Sequence, residues 1–184
     1  MKKLILTLVF LLFIASSGFA LSIKNLTLGS EGGYLVCSWN LYELPKNKLD
    51  AALHHGVPVR LQFEIVLEKI KRFWWDERLL YHIVLREIYY DAVKNIYLVQ
   101  LVGSSSPPKA VSSLEEALAL AGNARNVPIM PLNLLTPQQF YRLKIKVTAF
   151  QKISPNLPSR VLRFLFKGGK IESDWVTIRF KFSE

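Results

Sequence analysis

One cysteine, three histidines and two methionines among 184 residues leave little material for thiol, metal or redox chemistry. The lone Cys37 excludes a disulfide scaffold and a cysteine-based zinc module, each of which needs several thiolates. Acids are scarce as well: 14 Asp and Glu stand against 24 Lys and Arg, for a formal charge of +10. Nine glycines and nine prolines without a period exclude a collagen-like fibre, and no internal repeat marks a solenoid. Beyond the first residues no stretch is long and apolar enough to span a membrane as a helix. What remains is a chain that is 51% hydrophobic and 12% aromatic, far from the composition of a disordered protein. At this length one domain is the default, and it can bury a sizeable core.

The start of the chain reads as a targeting segment. Lys2 and Lys3 precede an uncharged run over residues 4–14, and Gly18 and Ala20 provide small residues for a signal peptidase. This pattern predicts a signal peptide over residues 1–20, cut after Ala20, and a periplasmic or secreted domain over 21–184 with no integral membrane span. An uncleaved N-terminal anchor is the rival reading, because Leu21 and Ile23 prolong the apolar character. No cysteine stands at the cleavage site, which argues against a lipoprotein. Cys37 lies in an alternating apolar run and reads as a small buried hydrophobe, so stability must come from packing.

Period two dominates the mature chain. Leu35, Cys37, Trp39 and Leu41 share one face of a strand over 34–41, and Val59, Leu61, Phe63, Ile65 and Leu67 share one face of another. Further strands are expected over 22–28, 78–89, 96–102, 141–149, 160–166 and 176–182, about eight in all. A turn is expected over 29–33, and residues 90–95 read as a hairpin connection. Two short helices interrupt the strands. One is expected over 48–55, capped by Asn47 and ended by Gly56; the other over 114–121, opened by the capping box Ser113-Leu114-Glu115-Glu116. The apolar, proline-broken residues 127–137 read as a connector lying over the core, or as a partner site if exposed. The fold expected is an all-β, immunoglobulin-like sandwich with two short helical insertions, with an open lipid-binding barrel as the alternative.

No catalytic signature emerges. His54 and His55 are adjacent and point about 100° apart on a helix, so they cannot share a metal from one face. Residues 103–106 lack a nucleophile-elbow pattern, and Lys167-Gly168-Gly169-Lys170 lacks the spacing of a phosphate-cradling loop. No cofactor and no metal is expected.

Two features carry binding hypotheses. In residues 71–78, Trp74 and Trp75 sit beside Asp76 and Glu77 between two long strands, which suits either a binding tip or a cap on the core. In residues 139–171 there are eight basic residues and no acid, and Arg142, Lys144 and Lys146 form a row on one strand face, with Arg160 and Arg163 farther on. Such a row repels itself and suits an anionic lipid headgroup, a glycan or an acidic protein; a solvated outer face is the plain alternative. After loss of residues 1–20 the net charge is +8, of which +7 belongs to residues 103–184. Export and the lack of a recognition motif argue against nucleic acid.

The order of motifs resembles a family of bacterial exported proteins, domain of unknown function 4390. The resemblance rests on Leu53-His54-His55-Gly56-Val57-Pro58 before a strand bearing Glu64, and on the Arg72–Arg78 turn followed by Arg86 and Tyr89. It continues in Ser113-Leu114-Glu115-Glu116-Ala117, Tyr141, Leu157-Pro158 and Ser173-Asp174-Trp175. Arg160 departs from it, as a basic residue where family members carry an apolar one. The resemblance implies a small secreted or periplasmic domain, frequently encoded beside a two-component sensor kinase, and it implies no catalytic residues. The function expected is therefore a non-enzymatic interaction or accessory protein of the cell envelope with a protein partner. A binder of anionic envelope ligands is the second expectation and an enzyme the third.

Overall fold

A computed structural model describes residues 21–151 and 170–183. The leader over 1–20, the strand expected over 160–166 and the candidate residues Arg160 and Arg163 lie outside the described residues. In chain order the elements are β1 (Ser22–Glu31), β2 (Tyr34–Tyr42), α1 (Lys46–His54), β3 (Val59–Lys69), β4 (Glu77–Asp91), β5 (Ile96–Leu101) and β6 (Lys109–Val111). Then follow α2 (Leu114–Gly122), β7 (Ala124–Pro131), a 3-10 turn (Leu132–Leu134), β8 (Phe140–Gln151), β9 (Lys170–Glu172) and β10 (Val176–Lys181).

These strands form two antiparallel sheets. One is small, in the order β1-β2-β7; the other runs β10-β8-β3-β4-β5-β6, with β9 also paired to β8. The result is an all-β sandwich with two short helical insertions, and neither sheet closes into a barrel among the described residues.

The period-two faces meet in the core. Val59, Leu61, Phe63, Ile65 and Leu67 of β3 are all fully buried, as are Leu143, Ile145, Val147 and Ala149 of β8. The register explains the match, since Phe63 lies opposite Val147, Ile65 opposite Ile145 and Leu67 opposite Leu143. The small sheet contributes Leu35, Cys37 and Trp39, and the Trp39 and Phe63 rings meet across the sandwich at 5.1 Å between centroids. Each such side chain removed from water stabilises the fold by about 1.5–3 kcal/mol. Desolvation pushes the Cys37 thiol up to about 12, so it stays protonated and inert.

Several expectations change in detail. The first helix starts at Lys46 behind Pro45, not at Lys48 behind Asn47, and no side chain caps it. The Pro45 carbonyl accepts from the Lys48 and Leu49 N–H groups instead. Its end follows the sequence signal: Gly56 adopts φ +74°, Gly56 N–H donates to Leu53 and Val57 N–H donates to Ala52, the paired bonds of a Schellman motif. Ser113 caps α2 as expected by accepting from Glu116 N–H at 3.2 Å. The Glu116 carboxylate returns to Ser112 rather than to Ser113, taking both its N–H and its hydroxyl. The turn between β1 and β2 is tighter than residues 29–33, because β1 runs on to Glu31. Of the connector expected over 127–137, residues 127–131 belong instead to β7, and only 132–137 lead on toward β8. The prolines of β7 are tolerated because it is an edge strand of the small sheet among the described residues.

Candidate functional site

The tip between β3 and β4 is built from two long paired strands of the large sheet, 11 and 15 residues, which carry residues 70–76 clear of the core. Its base is fastened. Ile70 N–H donates to the Phe140 carbonyl at 2.9 Å, and Gln139 Nε2 donates to the Ile70 carbonyl at 2.6 Å. Asp76 accepts from Lys71 N–H at 3.2 Å and pairs with Arg142 of β8, so it closes the loop on itself and ties it to the neighbouring strand. Glu77 pairs with Lys71 at 2.9 Å, and the hydrogen bond from Lys71 holds its carboxyl below the usual glutamate range.

The aromatics beyond that base face solvent. Phe73, Trp74 and Trp75 are 84%, 80% and 93% exposed. Arg72 lies over the Phe73 ring at 5.6 Å, and a groove of about 580 Å³ runs between Phe73, Trp74 and Phe140. Of the four residues singled out in the turn, Trp74 and Trp75 are presented outward. Asp76 and Glu77 are engaged in holding the loop.

The basic row looks different in three dimensions. Arg142, Lys144 and Lys146 do share the outer face of β8, but each lies beside carboxylates that are distant in the chain. Arg142 meets Glu68 at 3.2 Å as well as Asp76, Lys144 meets Glu68 at 2.6 Å and Lys146 meets Glu172 at 2.8 Å. The cause is register: β3 places Glu68 opposite Arg142, and β9 places Glu172 opposite Thr148, two residues along β8 from Lys146. The self-repelling ladder expected from an acid-free tract is thus corrected to a set of ion pairs. Hydrogen bonds from Lys146 and Lys170 lower the Glu172 carboxyl to about 2, and its bond to Glu172 raises Lys146.

The histidines separate. His54 packs against Tyr90 with ring centroids 4.2 Å apart and planes tilted by 35°, and lies 3.2 Å from Asp50, which also accepts from the Tyr97 hydroxyl at 2.8 Å. Burial, then that bond, push the Tyr97 hydroxyl up to about 12. His82 lies elsewhere, on the wall of a crevice beside β4. No group of three or more His, Cys, Asp or Glu side chains suited to a metal ion occurs among the described residues. Nor is any helix among them long and apolar enough to cross a membrane.

Sequence reasoning missed the role of Arg86. Its guanidinium lies 5.7 Å from the Phe63 ring and donates to the Leu120, Ala121 and Asn123 carbonyls, so it caps the end of α2 from the opposing sheet. An arginine in an otherwise apolar strand stretch was the available signal. Ser173 acts similarly: its hydroxyl accepts from Val147 N–H at 3.0 Å, joining the chain before β10 to β8.

A family model described as Domain of unknown function (DUF4390) matches residues 20–179. No curated protein and no solved structure matches the chain. The motifs that carried the resemblance fall largely on scaffold positions: Gly56 ends α1, Arg86 and Ser113 cap the two ends of α2, and Ser173 bridges to β8.

Proposed function

We propose that the chain, which belongs to the DUF4390 family, is an exported, non-catalytic interaction domain that docks on a protein of the cell envelope through the β3–β4 tip. One observation carries the reading: three consecutive aromatic side chains, each at least 80% exposed, stand on a loop whose base is tied by Asp76, Gln139 and Arg142. Large aromatics left in water on a braced loop offer contact area at low entropic cost, which is what a hot spot requires. A two-component membrane sensor is the partner to which the resemblance points. The anionic-ligand reading comes second, because Arg142, Lys144 and Lys146 are already matched by carboxylates, while Arg160 and Arg163 lie outside the described residues.

The test is cross-linking in the periplasm followed by mass spectrometry. A defined envelope protein should be recovered with the native chain and lost with Trp74→Ala combined with Trp75→Ala. Recovery of the same protein in equal yield with a folded double variant would overturn the reading.

A further inference from the structure

The β4 strand is paired with β3 along its length, from Lys69 opposite Glu77 to Val59 opposite Ile88. On its other side β5 covers only residues 86–91. Among the described residues, 77–85 therefore form a free sheet edge about 30 Å long at the usual rise per residue. Val102 N–H donates to the Leu85 carbonyl at 2.8 Å, which ends the free stretch and sets its alternation. Tyr81 and Ile83, in phase with Leu85, direct their N–H and C=O groups away from β3 into the open side. Neither lysine nor proline, two residues that blunt an exposed edge, occurs in residues 77–85, and the charged Glu77 and Arg78 and the bulge at Leu79 lie at the tip end, away from Tyr81 and Ile83.

Side chains around this edge differ on its two faces. Tyr81 and Ile83 are 49% and 41% exposed on the outer face. On the inner face His82 and Val84 line a crevice of about 440 Å³, whose far wall is Arg125 and Val127 of β7. The lining of that crevice holds two arginines and a histidine but no carboxylate. Arg86 is engaged by α2, whereas Arg125 has no ion-pair partner among the described residues.

We propose that the free edge of β4 accepts an extended segment of a partner polypeptide as an added strand, with apolar side chains over Tyr81 and Ile83 and a carboxylate reaching Arg125 across the crevice. The backbone groups supply affinity and the two faces supply selectivity, as in other strand-addition complexes. Charge selects this occupant over a second copy of the chain. A copy's edge brings Glu77 as its one carboxylate, already held by Lys71, and so offers Arg125 no free acid. This surface is separate from the aromatic tip and does not depend on it.

The probe is a capped seven-residue peptide alternating Val and Glu, compared with its Val/Lys counterpart, with amide exchange of the protein followed by NMR. Saturating Val/Glu peptide should slow exchange at Tyr81 and Ile83 at least tenfold and leave His82 and Val84, which face β3, unchanged. The Val/Lys peptide should bind at least tenfold more weakly, and Arg125→Glu, at an exposed position, should reverse that preference. The Trp74→Ala, Trp75→Ala variant should bind the Val/Glu peptide normally, so failure of the tip reading leaves this one standing. Equal binding of both peptides would overturn the proposal, as would unprotected Tyr81 and Ile83 at millimolar peptide. Protection that grows with protein concentration alone would also overturn it, in favour of a second copy.

Discussion

Asp76 in the β3–β4 tip is ion-paired with Arg142 on β8, so the loop that carries Phe73, Trp74 and Trp75 is braced by a strand from later in the chain. Arg142 also meets Glu68 at 3.2 Å, which places one guanidinium between the base of the tip and the strand that leads into it.

Replacing Asp76 by Ala removes one of the two carboxylates that meet Arg142, together with the acceptor for Lys71 N–H. The ion pair is partly shielded but the bond to Lys71 N–H is exposed, so the expected cost is about 1–2 kcal/mol. Urea unfolding measures it. A midpoint unchanged from the native protein would show that the brace contributes nothing.

Two glycines should respond in opposite directions to alanine. A Cβ at Gly122 would lie 2.8 Å from Leu41 Cβ, an atom fixed by its backbone. Overpacking of about 1–3 kcal/mol then outweighs the ~1 kcal/mol gained from helix propensity. A Cβ at Gly29 would meet Val36 at an ordinary 3.6 Å, so Gly29→Ala should be neutral or raise stability by up to about 1 kcal/mol. Thermal midpoints of the two variants decide the matter, and a Gly122→Ala protein melting above the native one would contradict the close approach.

Arg86→Met keeps the apolar stem but leaves the carbonyls of Leu120, Ala121 and Asn123 without their donor. The expected loss is about 2 kcal/mol, together with faster amide exchange in α2. Uniform destabilisation without a local effect on α2 would argue that the arginine acts through its packing on Phe63.

Glu172 sets a pH dependence. Its carboxyl is lowered to about 2 in the folded protein, so its contribution is present above the ordinary glutamate value of 4.5 and is lost as pH falls through about 2. The raised Lys146 carries the opposite sign, with a contribution present below 10.5 and lost as pH rises through its folded value. The stability difference between the native protein and Glu172→Gln should therefore hold level from about pH 5 to 9 and shrink below about pH 4. Denaturant midpoints across that range test it, and a difference that grows on acidification would refute the assignment.

Much of the sandwich was legible because burying one face of a strand imposes alternation on the chain. β2, β3, β8 and β10 carry that alternation, and each of them formed within a residue or two of its expected span. Gly56 and Ser113 were equally legible, since the backbone geometry they serve is local. The strands that escaped did so for physical reasons. β6 and β9 are three residues long, too short to show a period, and the prolines of β7 resemble a connector until an edge position excuses them. Asn47 looked like a cap, but the Pro45 carbonyl had already started the helix.

The sequence by itself determined the strand faces, the apolar core, the inert cysteine and the unusual Trp74-Trp75 turn, because these depend on residue type and near neighbours. Only the tertiary structure decided which charges face one another and which backbone groups stay open. Glu68 and Arg142 are 74 positions apart in the chain, yet the register of β3 and β8 sets them side by side, so an acid-free tract became a paired surface. The same pairing rule, applied where β5 ends, left Tyr81 and Ile83 on an open edge among the described residues. Alternation is a property of one strand, but pairing belongs to two, and no single strand encodes where its partner stops.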